Sequence, residues 1–315
     1  MGQGGSRFRH LKRENPGLAW LIIDELGSGS YGKVHLVRNR KTNVLAAAKV
    51  APLQREAQLD TFLTEVNILV SCRHTNVTNF VGGYYHDNTL WILIEVCTGG
   101  SLAEVLRKQG TGLQEPQIQC ATFQVLRALD FLHGHLVIHR DLNASNLLLA
   151  EGGLIKLADF GVSAMCKGET RRSSFIGSPN WMAPEVIACE KDRSRVYGTA
   201  VDIWSLGATL IELAETKAPY HDLHPVKVLF KIANSPPPTL SSPELWSPMF
   251  SELLKSAMEK DPRARPSAAK LLLHPFCRDH SSVGSLVSLH RRALELVCMG
   301  LIVKRRLLGI IVDCM

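Results

Sequence analysis

Between Ala19 and Val50 the apolar residues come in short runs divided by turn formers. The runs are Ala19-Trp20-Leu21-Ile22-Ile23, Lys33-Val34-His35-Leu36-Val37 and Val44 to Val50, with Lys41-Thr42-Asn43 before the third. Segments of this length, rich in β-branched residues and bounded by polar turns, predict strands. From Gln58 to Val70 the period changes: Leu59, Phe62, Leu63, Val66, Leu69 and Val70 fall on one face of a helix. Phe80 to Tyr85 and Leu90 to Val96 return to strand character around an Asp87-Asn88 turn. The stretch before Gly99-Gly100 therefore reads as a mainly antiparallel sheet with one helix.

Beyond those glycines the pattern is helical. Ser101 to Lys108 and Glu115 to His133 carry apolar residues at three- and four-residue spacings, and further helices are expected at Val201–Glu215, Pro225–Ala233, Met249–Met258 and Ser267–Leu273. Ser235 to Pro243 is a proline-rich loop that fits either an SH3 ligand or an ordinary surface connector. No internal repeat is found. The chain divides into a leader (1–19), a small β-rich lobe (20–96), a larger helical lobe (97–277) and a tail (278–315).

Composition changes this picture little, but the location of charge changes it more. The chain has 315 residues, 45% of them apolar, and a formal net charge of +7. Such a balance excludes a disordered or fibrous chain. A basic excess invites nucleic-acid binding. Residues 14–277, however, hold as many acids as bases. The excess lies in Arg7, Arg9, Lys12 and Arg13 of the leader and in Arg278, Arg291, Arg292 and Lys304-Arg305-Arg306 of the tail. A neutral body argues against a nucleic-acid partner. The eight cysteines contain no CxxC and the twelve histidines no HExxH, so free thiols in a cytoplasmic protein are expected rather than a disulfide framework or a zinc site. The apolar run Leu296–Val303 is far short of the ~20 residues a membrane span needs.

The chemistry-bearing residues then appear in order. Gly27-Ser28-Gly29-Ser30-Tyr31-Gly32 lies between two strands, where missing Cβ atoms let backbone N–H groups approach phosphate. A dinucleotide-binding loop would lead into a helix, and here a strand follows. Lys49 ends a strand of small residues and gains meaning from Glu65, set in the apolar stripe of the next helix. His139-Arg140-Asp141-Leu142-Asn143-Ala144-Ser145-Asn146 precedes Asp159-Phe160-Gly161, then Ala183-Pro184-Glu185 and Asp202-Ile203-Trp204-Ser205-Leu206-Gly207. Each piece alone is weak. Their order and spacing over about 20–277 resemble the eukaryotic protein kinases. Leu90-Trp91-Ile92-Leu93-Ile94-Glu95, Ser174-Phe175-Ile176-Gly177-Ser178-Pro179, Trp181-Met182-Ala183-Pro184-Glu185 and Arg265-Pro266-Ser267-Ala268 are similar to the sterile-twenty group, germinal-centre branch.

That resemblance implies a bilobal α+β fold and ATP- and Mg²⁺-dependent phosphorylation of protein Ser/Thr. The glycine loop (Gly27 to Gly32) with Val34 and Ala47 would cover the nucleotide, and Lys49 paired with Glu65 would hold its α/β-phosphates. Asn146 and Asp159 would bind Mg²⁺, and Asp141 would accept the substrate hydroxyl proton. Glu95 and Cys97 would offer backbone groups to adenine, with Ile94 guarding the pocket behind. Glu185–Arg265 and Asp202 would be structural. Thr170, Ser173 and Ser174 are autophosphorylation candidates, a phosphate there recruiting Arg140; a serine-rich exposed loop is the plain alternative. Implied partners are protein substrates and a second copy of the chain, met through the activation segment or the tail.

The pattern breaks at Asn143, where the family has lysine. An amide cannot replace a cation worth about 4 kcal/mol to a charge 4 Å away at intermediate dielectric. Even a residual loss of ~2 kcal/mol exceeds tenfold in rate, so a pseudokinase or weakly active nucleotide-binding scaffold is the rival reading. Ser178 replaces a threonine whose hydroxyl role it can keep, and Asn180 replaces an aromatic.

At the ends, Met1-Gly2-Gln3-Gly4-Gly5-Ser6 fits the acceptor pattern for N-myristoylation at Gly2, and the following bases would supply a second membrane-surface signal. A disordered basic leader is the plain alternative. Leu286, Leu289, Ala293, Leu294, Val297 and Leu301 recur at helical spacing in the tail. Docking on the large lobe, pairing with a partner and lying on a membrane all fit that stripe. The coiled-coil extension of the resembled kinases has no counterpart here, and its dimerising role is not carried over.

Overall fold

The computed structural model describes residues 8–29, 32–53, 56–165, 176–192, 194–278 and 283–307. Strands β1 (Trp20–Gly29), β2 (Gly32–Asn39) and β3 (Leu45–Pro52) are followed by helix α1 (Glu56–Ser71) and strands β4 (Phe80–His86) and β5 (Thr89–Ile94). They form one antiparallel sheet of order β1-β2-β3-β5-β4. Strand alternation splits Ala46-Ala47-Ala48-Lys49 between its two faces. Ala46 and Ala48 join Trp20, Val37, Tyr84 and Leu93 in a small outer cluster. Ala47 and Lys49 point the other way, and α1 buries Leu59, Phe62, Leu63, Val66 and Leu69 in the main core.

The first strand runs past Ile23 to Gly29, because the glycine stretch keeps pairing with β2. The fifth stops at Ile94 rather than Val96, since the Glu95 N–H donates to Asn79 O (3.0 Å) instead of a neighbouring strand. The second half of the leader is attached to the sheet. The Lys12 N–H donates to Gly83 O and the Tyr85 N–H to Lys12 O, both at 2.9 Å. Leu11 is buried, and the Phe8 ring stacks on Tyr85 at 5.3 Å.

The larger lobe begins with α2 (Leu102–Gln109), whose N–H at Glu104 is capped by Ser101 Oγ and whose end turns through Gly110 at φ 73°. Then follow α3 (Glu115–Gly134), β6 (Val137–Ile138), β7 (Leu147–Ala150), β8 (Leu154–Leu157), β9 (Ala164–Met165), α4 (Pro184–Lys191) and α5 (Ala200–Glu215). The strands pair as β6–β9 and β7–β8. Helices α6 (Pro225–Asn234), α7 (Pro248–Ala257), α8 (Ala268–Leu272), α9 (Pro275–Arg278) and α10 (Val283–Leu307) complete the order. Every residue from Val201 to Leu213 is buried, which places α5 at the centre of the lobe. The bilobal α+β architecture is the one the sequence resemblance implies; α4, α9 and the four short strands are elements that the apolar periodicity does not predict.

The start of the tail packs on the large lobe: Leu286, Leu289 and Ala293 of α10 are buried in the main core. No helix among the described residues is long and apolar enough to cross a membrane. Cys72, Cys97, Cys120, Cys189 and Cys277 are free thiols. Gly2, Thr170, Ser173, Ser174, Ser30 and Tyr31 lie outside the described residues.

Candidate active site

The inner face of the sheet and the first loops of the large lobe meet around Lys49. On β1, Gly27 pairs with Val34, Ser28 with Lys33 and Gly29 with Gly32, so the glycine stretch is the tip of a hairpin. Val34 also pairs with Lys49, and Ala47 with Ile94. Cross-strand partners share a face, which brings Gly27, Val34, Ala47, Lys49 and Ile94 to one side. A Cβ on Gly27 would meet nothing within 4 Å, whereas one on Gly32 (φ +150°) would strike Val50 O at 2.1 Å. The first glycine thus faces open space, and the second is required by the hairpin.

Lys49 Nζ donates to both Glu65 oxygens at 3.1 Å and to Asp159 Oδ1 at 2.9 Å. Burial works against the lysine charge, but the carboxylates of Glu65 and Asp159 outweigh it and hold its pKa above the ordinary 10.5. Burial likewise opposes charge on Asp159; Lys49 and the Gly161 N–H, donating at 3.2 Å, overcome it and hold that carboxyl below its usual range. Asp159 sits in the left-handed region at φ 61°, as does Arg140 at φ 70°. A Cβ on Gly161 would lie 3.0 Å from Lys49 Nζ and 3.1 Å from Asp159 Oδ1. Only glycine there leaves the ion pair undisturbed.

Asp141 is held by two side-chain donors. Its Oδ1 accepts the Ser178 hydroxyl at 2.8 Å and its Oδ2 the Asn146 amide at 3.0 Å. Ser178 thereby keeps the hydroxyl role expected of it. Asn180 donates to Pro219 O at 2.7 Å. Asn143, the odd residue of the motif, works within the loop itself. Its Oδ1 caps the turn 144–146 by accepting the Ser145 and Asn146 N–H groups (2.9 and 3.2 Å), and its Nδ2 donates to Asp141 O at 3.1 Å. Its side chain holds the backbone between Asp141 and Asn146.

Asp202 and His139 fix the loop further, and Arg265 braces the segment after it. Asp202 is fully buried and accepts the backbone N–H groups of His139 (2.9 Å) and Arg140 (2.8 Å), with His133 Nε2 at 2.9 Å. Burial raises its carboxyl, but the His133 hydrogen bond and charge, with the Arg140 N–H, bring it below its usual value. His139 Nε2 meets Ala158 O at 3.0 Å. Arg265 grips Glu185 with two donors at 2.6 and 3.1 Å. At the connection between the lobes, Glu95 Oε1 pairs with Lys156 at 2.7 Å and accepts the Asn79 N–H at 2.7 Å. Burial pushes the nearby Cys97 thiol up to about 12.

Sequence reasoning passed over Glu212. On α5 its Oε2 accepts the Ala144 N–H at 2.9 Å and the Trp181 indole N–H at 3.1 Å, tying the Asp141 loop to the Ser178–Trp181 segment. Burial raises its pKa from 4.5 to about 7, and those two donors pull back only part of the shift. The folded chain thus binds this proton more tightly than the unfolded chain. The stability it contributes is complete below about pH 4.5 and is lost as pH rises through about 7, a change of about 3 kcal/mol. Urea melts of wild type and Glu212→Gln should diverge by that amount between pH 4.5 and 8, wild type losing the more. Parallel pH profiles would contradict it.

The protein kinase domain family model matches residues 20–277. Serine/threonine-protein kinase 10 of Xenopus tropicalis is 49% identical over 273 residues, covering 86% of this chain and 29% of its own length. The human protein of the same name is 49% identical over 271 residues, covering 85% of this chain and 28% of its own length. Serine/threonine-protein kinase dst2 of Dictyostelium discoideum is 39% identical over 289 residues, with 90% of this chain and 25% of that protein covered. The chain therefore spans less than a third of the length of these relatives.

Proposed function

The chain belongs to the protein kinase domain family, and we propose that it is itself an active kinase transferring the γ-phosphate of ATP to Ser and Thr hydroxyls of proteins. The observation that supports this most is the joint presence of Lys49 held by Glu65 and Asp159 with an Asp141 whose two oxygens are aimed by Ser178 and Asn146. The residues fit MgATP. Asp159 and Asn146 present hard oxygens. Among the described residues no group of three His, Cys, Asp or Glu side chains could hold a metal by itself. One carboxylate and one amide is the donor set expected for a Mg²⁺ bound largely by phosphate oxygens. Gly27 faces open space.

Bound with its metal, ATP supplies the transferable phosphoryl group and the charge that must be stabilised. Lys49 would hold the α/β-phosphate oxygens, kept cationic by its two carboxylates. Asp159 and Asn146 would hold Mg²⁺. At the connection between the lobes, adenine would be met by the Glu95 carbonyl, since its N–H is already donated to Asn79, and by Cys97 backbone groups. Asp141 orients the substrate hydroxyl and takes its proton. Thr170, Ser173 and Ser174 would be autophosphorylated, and protein substrates reach the site beside Ser178. A second copy would be met through the activation segment, because the start of the tail stripe is already buried. We place the chain in the cytoplasm, with Gly2 myristoylation and the leader bases as the route to a membrane surface.

Incubation of the purified chain with Mg·ATP and a basic protein substrate, followed by phosphoamino-acid analysis, tests the specificity. Phosphoserine and phosphothreonine are expected; phosphotyrosine alone would overturn the reading. Asn143→Lys adds the missing cation and removes a cap. Turnover should rise about tenfold, while unfolding free energy falls by about 1 kcal/mol. An unchanged rate would show that this charge does not limit the reaction.

A further inference from the structure

The proposed reaction leaves the tail helix without a role, yet its seat is cut into the site's supporting backbone. On α10, Leu286, Leu289, His290 and Ala293 form one buried stripe. Two glycines receive it. A Cβ on Gly153, in the turn between β7 and β8, would lie 2.7 Å from Val287 N and 2.8 Å from Leu286 C. A Cβ on Gly99, at the end of the connection between the lobes, would lie 2.7 Å from Leu149 O and 3.0 Å from His290 Cδ2. A side chain at Gly153 would push the helix away, and one at Gly99 would strike the β7 backbone and crowd the His290 ring.

His290 also makes a specific polar contact: its Nε2 lies 2.9 Å from Thr98 Oγ1. Thr98 is exposed and follows Cys97 directly. Gly99 and Gly100 come next, the latter at φ +73°. Two adjacent glycines lose more conformational freedom on ordering than any other pair. What holds this segment is therefore decisive. From one side β7 clips it, through the Gly99 N–H to Leu149 O (2.9 Å) and the Leu149 N–H to Gly100 O (2.8 Å). From the other side α10 reaches it through His290.

We propose that α10 is a strut of the nucleotide site and that His290 is a positioning residue, fixing Thr98 and so the Cys97 backbone before nucleotide arrives. This rests on the reading that Glu95–Cys97 meet adenine. Ordering the linker in advance removes that entropic loss from binding, so the strut acts on nucleotide affinity and leaves proton transfer at Asp141 alone.

The test titrates Mg·ADP into the full chain, wild type and variants, and measures ATP KM and kcat alongside. His290→Ala should weaken Mg·ADP binding and raise ATP KM about three- to tenfold, the value of one hydrogen bond, with kcat and protein-substrate KM unchanged. His290→Gln, whose amide can reach Thr98, should restore binding to within about twofold. Leu286→Asp, which prises the helix off, should weaken binding at least as much as His290→Ala. Binding by His290→Ala equal to wild type overturns the strut, and so does a drop that His290→Gln does not recover. Wild type that binds no Mg·ADP would instead overturn the kinase reading and the strut with it.

Discussion

Asp141→Asn should lower phosphoryl transfer by about 10²–10⁴-fold, the usual contribution of a positioned general base, while leaving ATP affinity and the fold intact. The geometry explains why the fold survives. Asp141 accepts from Ser178 at 2.8 Å and from Asn146 at 3.0 Å. An asparagine can keep its oxygen toward the Asn146 amide and donate to the Ser178 hydroxyl, so both contacts persist with one direction reversed. What disappears is the lone pair that takes the substrate proton. Initial rates at saturating ATP, with binding and thermal melts as controls, measure this. A variant within about threefold of wild type would remove Asp141 from the chemistry.

Arg265→Ala should cost about 3–5 kcal/mol of stability, the usual penalty for leaving a buried charge unpaired. The Arg265 side chain is wholly buried. Besides its two bonds to Glu185, it donates to Glu259 O at 2.8 Å and to Ala200 O at 2.7 Å, and its guanidinium lies 5.3 Å from the Trp204 ring centre. Truncation orphans a carboxylate and two carbonyls together. For a domain of this size the melting temperature should fall by about 10 °C. Arg265→Lys should recover only part of it, because an ammonium cannot bridge both oxygens in the same plane. Glu185 lies in the first turn of α4, shortly after Ser178–Trp181, so residual activity should fall through protein-substrate KM before ATP KM. A melting temperature within about 2 °C of wild type would mean that the pair is not structurally important.

Much of this was readable in the chain because the relevant spacings are local. The strands of the small lobe announce themselves by short β-branched runs, and the loop motifs by fixed order. Lys49 and Glu65 could be paired because one ends a strand and the other sits in the stripe of the next helix. Other features depend on contacts that no window reveals. Lys12 joins β4 through two backbone hydrogen bonds, which carry no side-chain signature. Asn143 was visible as a departure, but that its amide caps the following turn follows only from the loop's path. Helix α4 is eight residues long with no strong apolar face, and its first acid is engaged by Arg265 far along the chain. Glu212 did have a signal: a carboxylate inside a helix apolar on every side must be buried and must find donors. His290 had one too, since it falls within the Leu286, Leu289, Ala293 stripe.

The most direct measurement of the central claim is single-turnover transfer of γ-phosphate from Mg·ATP to a protein Ser or Thr, run beside ATP binding on the same preparation. Binding together with transfer well above the Asp141→Asn control is the expected result. Tight Mg·ATP binding with no transfer above that control would contradict it and make the chain a nucleotide-binding scaffold.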